Sequence, residues 1–488
     1  MAGDLAIGVD VGTSGVGVVA LDQGGRRVAH ADHPVPLATP RPGWTEQDPQ
    51  DWVAAAEAGL REVAIAVGAE RVAAIGLSGQ MHGMVALNEA DRVVRPALLW
   101  NDQRTGAAVD AITNAVGRAR LIERTGNPAI TGFQLPKVVW LRASEPDAFA
   151  RTRRVLLPKD FVGFQLTGEA VAEPSDASGT GHYHLASGAW DTEVLGALDL
   201  DPGLWPRLVR SDDVVGGLRA AVAERTGLRA GTPVVAGAGD NAAAATGLAL
   251  GRAHPQVGSV SLGTSGVLFA ALDAPTPDPD GRVHLFAHAD GGFNLLGVIL
   301  SAAGSLRWYR DTFAPGRPFE ALVAEAAAAP VGAGGVTYKP YLAGERTPHL
   351  RPDLRGSFHG LSLATGPGDV VRAVLEGVAF ALREAQDVMR PLAHPERWLA
   401  TGGGAESDAW LEILADALDA PVGRPVDEAG RPALVGAAEG AAWLAWRASG
   451  HAPDRAPRAG SWTEPAPERR EATQAAYARY QRLGLEAH

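Results

Sequence analysis

A carboxylate followed by a turn of glycine and hydroxyl residues stands near the start of the chain, in Asp10-Val11-Gly12-Thr13-Ser14-Gly15. Such a turn can aim several backbone N–H groups at one anion. Asp10 at its edge can hold Mg²⁺ through water, because hard cations take oxygen ligands. The tetrad returns about half a chain later, in Ser261-Leu262-Gly263-Thr264-Ser265-Gly266. One copy alone reads equally as a hairpin turn. Two facing copies would grip a polyphosphate from both sides, through Gly12, Thr13 and Ser14 and through Gly263, Thr264 and Ser265.

A second carboxylate stands in Gly237-Ala238-Gly239-Asp240-Asn241-Ala242, after an apolar run at 233–236. Asp240 is either a helix N-cap or a base that takes a proton from a substrate hydroxyl. An ordinary Asp, with a pKa of ~3.9, is a weak base at neutral pH. Phosphoryl transfer tolerates that, since its loose transition state needs positioning more than early proton removal. The run also fits G-x-G-x-x-A, a dinucleotide fingerprint, but Asp240 would then set a carboxylate beside the pyrophosphate.

Three further runs offer binding groups. Ser78-Gly79-Gln80-Met81-His82-Gly83 presents Gln80 and His82 to hydroxyls, and its small residues permit close backbone approach. Trp100-Asn101-Asp102-Gln103-Arg104 sets an aromatic face beside polar groups, which suits a sugar, or else caps a helix at Asn101 or Asp102. Thr401-Gly402-Gly403-Gly404-Ala405 lets a flat ring lie against backbone. Gly344-Glu345-Arg346-Thr347-Pro348 reads first as a structural ion network.

Composition removes other chemistries. Cysteine is absent, which excludes disulfides, thiolate metal sites and Cys nucleophiles. Lysine occurs only at Lys137, Lys159 and Lys339, none of them in a P-loop. HExxH and G-x-S-x-G are both missing. A net charge of −12 argues against nucleic acid as a partner. The acidic N-terminus is unlike a signal peptide, and no apolar run reaches the ~18–20 residues of a membrane span, so a cytoplasmic protein is expected.

The elements that must position these residues alternate. Helical periodicity marks 51–67, 102–125, 367–389, 407–418 and 469–485, and strand-like runs mark 72–77, 93–99, 155–157, 233–236, 293–298 and 397–401. The class is therefore α/β. Each GTSG turn lies between two apolar runs, so each reads as a hairpin. Two hairpins half a chain apart predict a duplicated domain with a cleft between the copies. The expected division is 1–248, 249–450, and 451–488 as linker and C-terminal helix.

These motifs together resemble the FGGY family of carbohydrate kinases, and within it the bacterial branch acting on D-xylulose. The likeness runs from about residue 5 to about 445. It also rests on Leu157-Pro158-Lys159-Asp160, on Gly344 to His349, and on 356–376 with Gly360, Leu361, Asp369, Ala373 and Glu376. It implies two actin-like (ribonuclease-H-like) domains around a catalytic cleft. It also implies ATP and Mg²⁺ as cofactors and D-xylulose phosphorylated at its 5-hydroxyl, and it allows a homodimer. Asp240 would be the base and Asp10 the Mg²⁺-positioning group. Gln80, Met81, His82, Trp100, Asp102 and Asn241 would join Asp240 around the sugar. Gly402, Gly403, Gly404 and Ala405 would meet the adenosine. Related kinases acting on ribulose or glycerol, and a non-catalytic nucleotide- or sugar-binding regulator, are the alternatives. Two positions depart from the family pattern. Gly17 stands where relatives carry Lys or Arg, and Gln134 stands where a small residue is usual, which would alter substrate preference if its loop borders the pocket. The segment 430–438 fits the family loosely, on the adenine side.

Overall fold

The computed structural model describes residues 3–485 except 428, 434, 435 and 452. Leu434 and Val435, within the loosely matching 430–438, lie outside the described residues.

The first unit is a six-stranded sheet. Its strands are β1 (Leu5–Val11), β2 (Gly15–Asp22), β3 (Arg27–Pro34), β4 (Val72–Gly79), β5 (Val214–Gly217) and β6 (Pro233–Gly239), ordered β5-β6-β4-β1-β2-β3. The second unit is a seven-stranded sheet of β7 (Val257–Leu262), β8 (Gly266–Leu272), β9 (His284–Ala287), β10 (Phe293–Ile299), β11 (Arg397–Thr401), β12 (Val422–Pro425) and β13 (Ala459–Thr463). Its order is β9-β10-β8-β7-β11-β12-β13. The inner orders match strand for strand. In each, an antiparallel hairpin carries a third antiparallel strand on one side and two parallel strands on the other. Four helices matter for the site: α1 (Pro49–Val67), α2 (Asp240–Gly247), α3 (Pro367–Met389) and α4 (Ala437–Ala448). The long helices α1 and α3 occupy corresponding positions before β4 and β11. The duplication expected from the two GTSG turns is present, as two ribonuclease-H-like units.

Alternation along the central strands decides what packs on each face. Leu5, Ile7 and Val9 of β1, with Ile75 and Leu77 of β4, enter the core shared with α1. The opposite face is built from small residues, Ala6 and Gly8 on β1 and Ala74 and Gly76 on β4. Helix α4 lies on that face, although it belongs by sequence to the second half. Its approach leaves no room for a Cβ at Gly8, which would stand 1.8 Å from the Ala438 carbonyl oxygen. At Gly76 it would stand 1.9 Å from that of Ala441. Helix α2 packs on α4 equally closely, with a Cβ at Gly440 falling 1.7 Å from the Ala243 oxygen.

Three expectations are corrected. The run 102–125 is two helices, Gly106–Val116 and Arg118–Thr125, because Gly117 at φ 91° breaks it and Asp102 is held outside the first. The run 93–99 yields only a two-residue strand, Ala97–Leu98. The stretch 451–467 is not a plain linker, since it supplies β13, and α5 (Arg470–Arg482) buries Tyr477 and Tyr480 in the second core.

Gly440→Ala is expected to cost about 1–3 kcal/mol by overpacking and to lower the melting temperature by several degrees in a thermal scan. An unchanged melting temperature would show that α2 and α4 can separate freely.

Candidate active site

The period-2 alternation that puts Gly8 and Gly76 under α4 puts Asp10 and Ser78 on the same face, one step further along their strands. The two are direct cross-strand partners. Asp240 lies nearby, at the end of β6 where α2 begins. Burial first, and the Asp240 charge second, push the Asp10 carboxyl up to about 7, with Ser78 opposing. Glu439 on α4 adds to that rise. Asp10 Oδ1 is buried without a hydrogen-bond partner. Burial pushes Asp240 up to about 6, against hydrogen bonds to its Oδ1 from the Asn241 backbone N–H (2.7 Å) and side-chain amide (3.0 Å). Two repelling carboxylates, one with a bare oxygen, are a donor set that would suit a cation. No cluster of three or more His, Asp or Glu suited to a metal occurs among the described residues. An ion there would complete its shell with phosphate and water, as Mg²⁺ prefers.

The first GTSG turn closes with Gly12 N–H donating to the Gly15 carbonyl at 2.9 Å, and leaves Ser14 exposed. Thr13 Oγ accepts from Trp100 Nε1 at 3.0 Å, so the half-exposed indole leans on the turn. Thr13 in turn donates to Gln80 Oε1 at 2.9 Å. Gln80 Nε2 donates to Gln47 Oε1, which also accepts from Trp52 Nε1. Gln80, expected against the sugar, is thus buried with its amide engaged behind the turn. Asp102 is also placed elsewhere than expected. It is fully buried, paired with Arg104 at 2.7 Å and accepting from Thr45 N–H. Arg104 lies between the rings of Trp44 and Trp140.

Met81 packs against the end of β6, just before Asp240, and His82 packs against Gly179. A Cβ at Gly239 would touch Met81 Cγ at 2.9 Å, and one at Gly179 would touch His82 Cε1 at 2.7 Å. His82 sits in the left-handed region at φ 69°, a strained conformation that neighbours must hold. Lys137 Nζ donates to its carbonyl at 2.9 Å and also to that of Gly132. Gln134 Nε2 donates to the Gly83 carbonyl at 3.0 Å, while its Oε1 accepts from Trp205. Gln134 is therefore a buttress beneath the loop, fully buried, and does not face the pocket. Burial keeps His82 neutral, pushing it down to about 3, and Nδ1 donates to the Gly179 carbonyl at 2.6 Å. Its Nε2 is then an acceptor for a hydroxyl.

Gly17 pairs with Asp10 on one side and Asp32 on the other, and a side chain there would begin 3.2 Å from Asp32 Oδ1. A side chain at this position therefore needs the Asp32 carboxylate to shift by a few tenths of an ångström.

On the second unit the GTSG turn is tied to the segment after β10. The Thr264 carbonyl accepts from Ala302 N–H and the Gly263 carbonyl from Ala303 N–H, both at 2.8 Å. Beside it lies a largely apolar cavity of about 600 Å³, lined by Gly263, Thr264, Leu306, Gly403, Gly404 and Trp410 among others. A Cβ at Gly403 would meet only open space, whereas at Gly402 (φ 82°) it would strike Leu262. Gly403 thus borders the cavity without filling it.

Sequence reasoning missed a buried charge cluster behind Asp240. Lys159 contacts Asp160 at 2.6 Å, Glu173 at 3.3 Å and Asp176 at 3.6 Å. Ser175, held by Glu173, accepts from the Gly239 N–H at 3.1 Å, fixing the end of β6. Burial works against the Lys159 charge, yet the three carboxylates hold its pKa above the ordinary range. Burial raises Asp176. The sequence signals were the Lys159-Asp160 pair in the run 157–160 and the density of charge in 159–176.

Residues 5–247 match the N-terminal domain model of the FGGY family of carbohydrate kinases, and 258–445 match its C-terminal domain model. The chain is an FGGY carbohydrate kinase. As such it is an ATP-dependent sugar kinase. The FGGY chain is 40% identical over 412 residues to the xylulose kinase of Escherichia coli, covering 84% of each protein. It superposes on the "xyloylose" kinase from Brucella ovis with a TM-score of 0.91 at 38% identity, over 98% of both chains. A gluconate kinase from Lactobacillus acidophilus matches as well in shape, TM-score 0.91, at 26% identity over 98% of this chain and 96% of that one. No helix among the described residues is long and apolar enough to cross a membrane.

The raised Asp10 pKa carries a stability consequence. Between its unfolded pKa and about 7 the native state binds the extra proton, so stability falls as pH rises through that window. Asp10→Asn removes the charge. It is expected to melt above the parent protein at pH 8 without nucleotide or Mg²⁺, while losing transfer activity. A lower melting temperature at that pH would show that the carboxylate is not held against its own charge.

Proposed function

We propose that the protein phosphorylates D-xylulose at its 5-hydroxyl with ATP, and that Asp240 is the general base. The observation that carries the reading is Asp240 itself, a buried carboxylate raised to about 6 where β6 ends and α2 begins, with Met81 packed against the preceding Gly239. Carboxylates of that pKa are ionised at neutral pH, yet more basic than ordinary Asp. Asn241 orients the carboxylate through Oδ1, leaving Oδ2 for the sugar hydroxyl. Neutral His82 accepts from a hydroxyl further along the ketose. Trp100 offers its indole face on the side of the first turn.

The two GTSG turns hold the phosphate chain from opposite units, and the cavity at Gly403 takes the adenosine. Asp10, with its unpartnered Oδ1, would help hold Mg²⁺. When bound, the ion neutralises phosphate charge as the γ-phosphoryl leaves. The proton of the 5-hydroxyl passes to Asp240 as the oxygen takes the phosphoryl group. The similarity to xylulose kinases supports the choice of sugar. The gluconate kinase of the same shape makes the acceptor panel the deciding experiment.

ADP release is expected to be fastest with D-xylulose among D-xylulose, D-ribulose, D-gluconate and glycerol. A faster rate on any other acceptor rejects the substrate. Asp240→Asn should lower kcat by at least ~100-fold with ATP affinity unchanged. For the parent protein, kcat/KM should fall tenfold per pH unit below about 6, as Asp240 takes a proton. A flat profile down to pH 5 removes Asp240 as the base.

A further inference from the structure

The Glu345–Arg346 pair does not form the ion network its sequence suggests. Glu345 Oε1 accepts from the backbone N–H of Leu300 (2.9 Å) and of Arg346 (2.7 Å), and Oε2 is buried without a partner. Burial pushes this carboxyl up to about 8 against the opposing charge of Arg346, and no ion pair joins the two side chains among the described residues. No carboxylate pairs with the half-buried Arg346 guanidinium among the described residues. A half-buried, unpaired arginine is costly, and needs a reason.

Its place in the sheet supplies one. Strand β9 runs antiparallel to β10 and ends at His284, opposite Leu296. Two positions further along β10, Thr347 takes over the free edge. Its N–H donates to the Val298 carbonyl at 2.9 Å, and its Oγ accepts from Val298 N–H at 3.0 Å. Arg346 therefore follows His284 along one edge. His284 is buried, with Nδ1 2.8 Å from Asn127 Oδ1, and stacks on Phe286. Phe286 and Phe133 both flank the His82 ring, at 5.9 and 4.6 Å between centroids. The Arg346 charge is among those that lower both His82 and His284, burial being the larger cause. Met81 spans from His82 to the end of β6, its Cε beside Gly179 and its Cγ beside Gly239, and Arg346 stands close enough to His82 for its charge to reach the ring.

We propose that Arg346, carried by the second unit, binds the carbonyl and C1-hydroxyl end of the ketose, whose other end is presented to Asp240 by the first unit. This rests on the reading of the protein as a pentulose kinase. The guanidinium offers a planar fork of donors suited to adjacent carbonyl and hydroxyl oxygens. Since His82 and Asp240 belong to the first unit, a sugar touching Arg346 ties the two units together. Arg346 thus both selects ketoses over polyols and couples sugar binding to closure of the cleft.

The test compares Arg346→Ala and Arg346→Lys with the parent enzyme on D-xylulose and 1-deoxy-D-xylulose, with ATP affinity measured by calorimetry. Arg346→Ala should raise the KM for D-xylulose at least ~10-fold, with kcat at saturating sugar and ATP affinity changed less than ~3-fold. Arg346→Lys should recover part of the loss. The parent should discriminate against the 1-deoxy sugar, and Arg346→Ala should not, since both changes remove one interaction. The proposal is overturned by an unchanged KM. It is overturned by a collapse of kcat at constant KM, which would place Arg346 on the phosphoryl group. It is also overturned by undiminished discrimination in Arg346→Ala. Should the parent prefer another acceptor, the substrate reading fails separately. The same comparison on that acceptor and its analogue lacking the terminal hydroxyl then decides the role of Arg346.

Discussion

The structure depends on how closely α4 can approach the first sheet. Backbone oxygens of α4 stand where side chains of β1 and β4 would be, and only Gly8 and Gly76 make that possible. The approach is dispersion packing of small residues, each contact slight and the sum large. It fixes three things at once. It seats the second half of the chain against the first. It brings α2, and with it Asp240, to a set distance from the strand ends. It also leaves the carboxylate of Asp10 on the covered face, with Glu439 beside it and little water to screen either charge.

The site is consequently a place of stored electrostatic tension. Asp10, Asp240, Asp176 and Glu345 are all held above the ordinary carboxylate range by burial. His82 is held below its own for the same reason. A scaffold that raises acids and lowers a histidine disfavours charge in the empty cleft. A positive group arriving beside these carboxyls would favour their charged forms. Strain at His82 belongs to the same pattern, since Lys137 and Gln134 hold its loop in a conformation it would otherwise leave.

Much of this was legible in the chain. The paired GTSG turns announced two hairpins and a duplicated fold because turn chemistry and strand alternation are local properties. Asp10 and Asp240 were legible as carboxylates at strand ends. What was hidden depended on distant partners. Gln80 and Asp102 looked like sugar ligands by type, but Gln47 and Arg104 engage them first. Gln134 looked like a specificity change, and Trp205, far along the chain, makes it a buttress. The helix 437–448 was not among the periodic runs, and its docking on the first sheet depends on small residues far away in the chain. Arg346 had the appearance of an ion pair until the Leu300 amide was seen to hold its neighbour.

The seating of α4 on the first unit sets a condition on synthesis. A ribosome that has released the first unit as far as Gly247 has not yet made the helix that covers one face of it. Ala6, Gly8, Ala74 and Gly76 must wait, uncovered, until residue 448 emerges. A face of glycine and alanine exposes little apolar surface while it waits, compared with one of leucine or valine. The same smallness that lets the helix dock so closely keeps the nascent half from sticking to its neighbours.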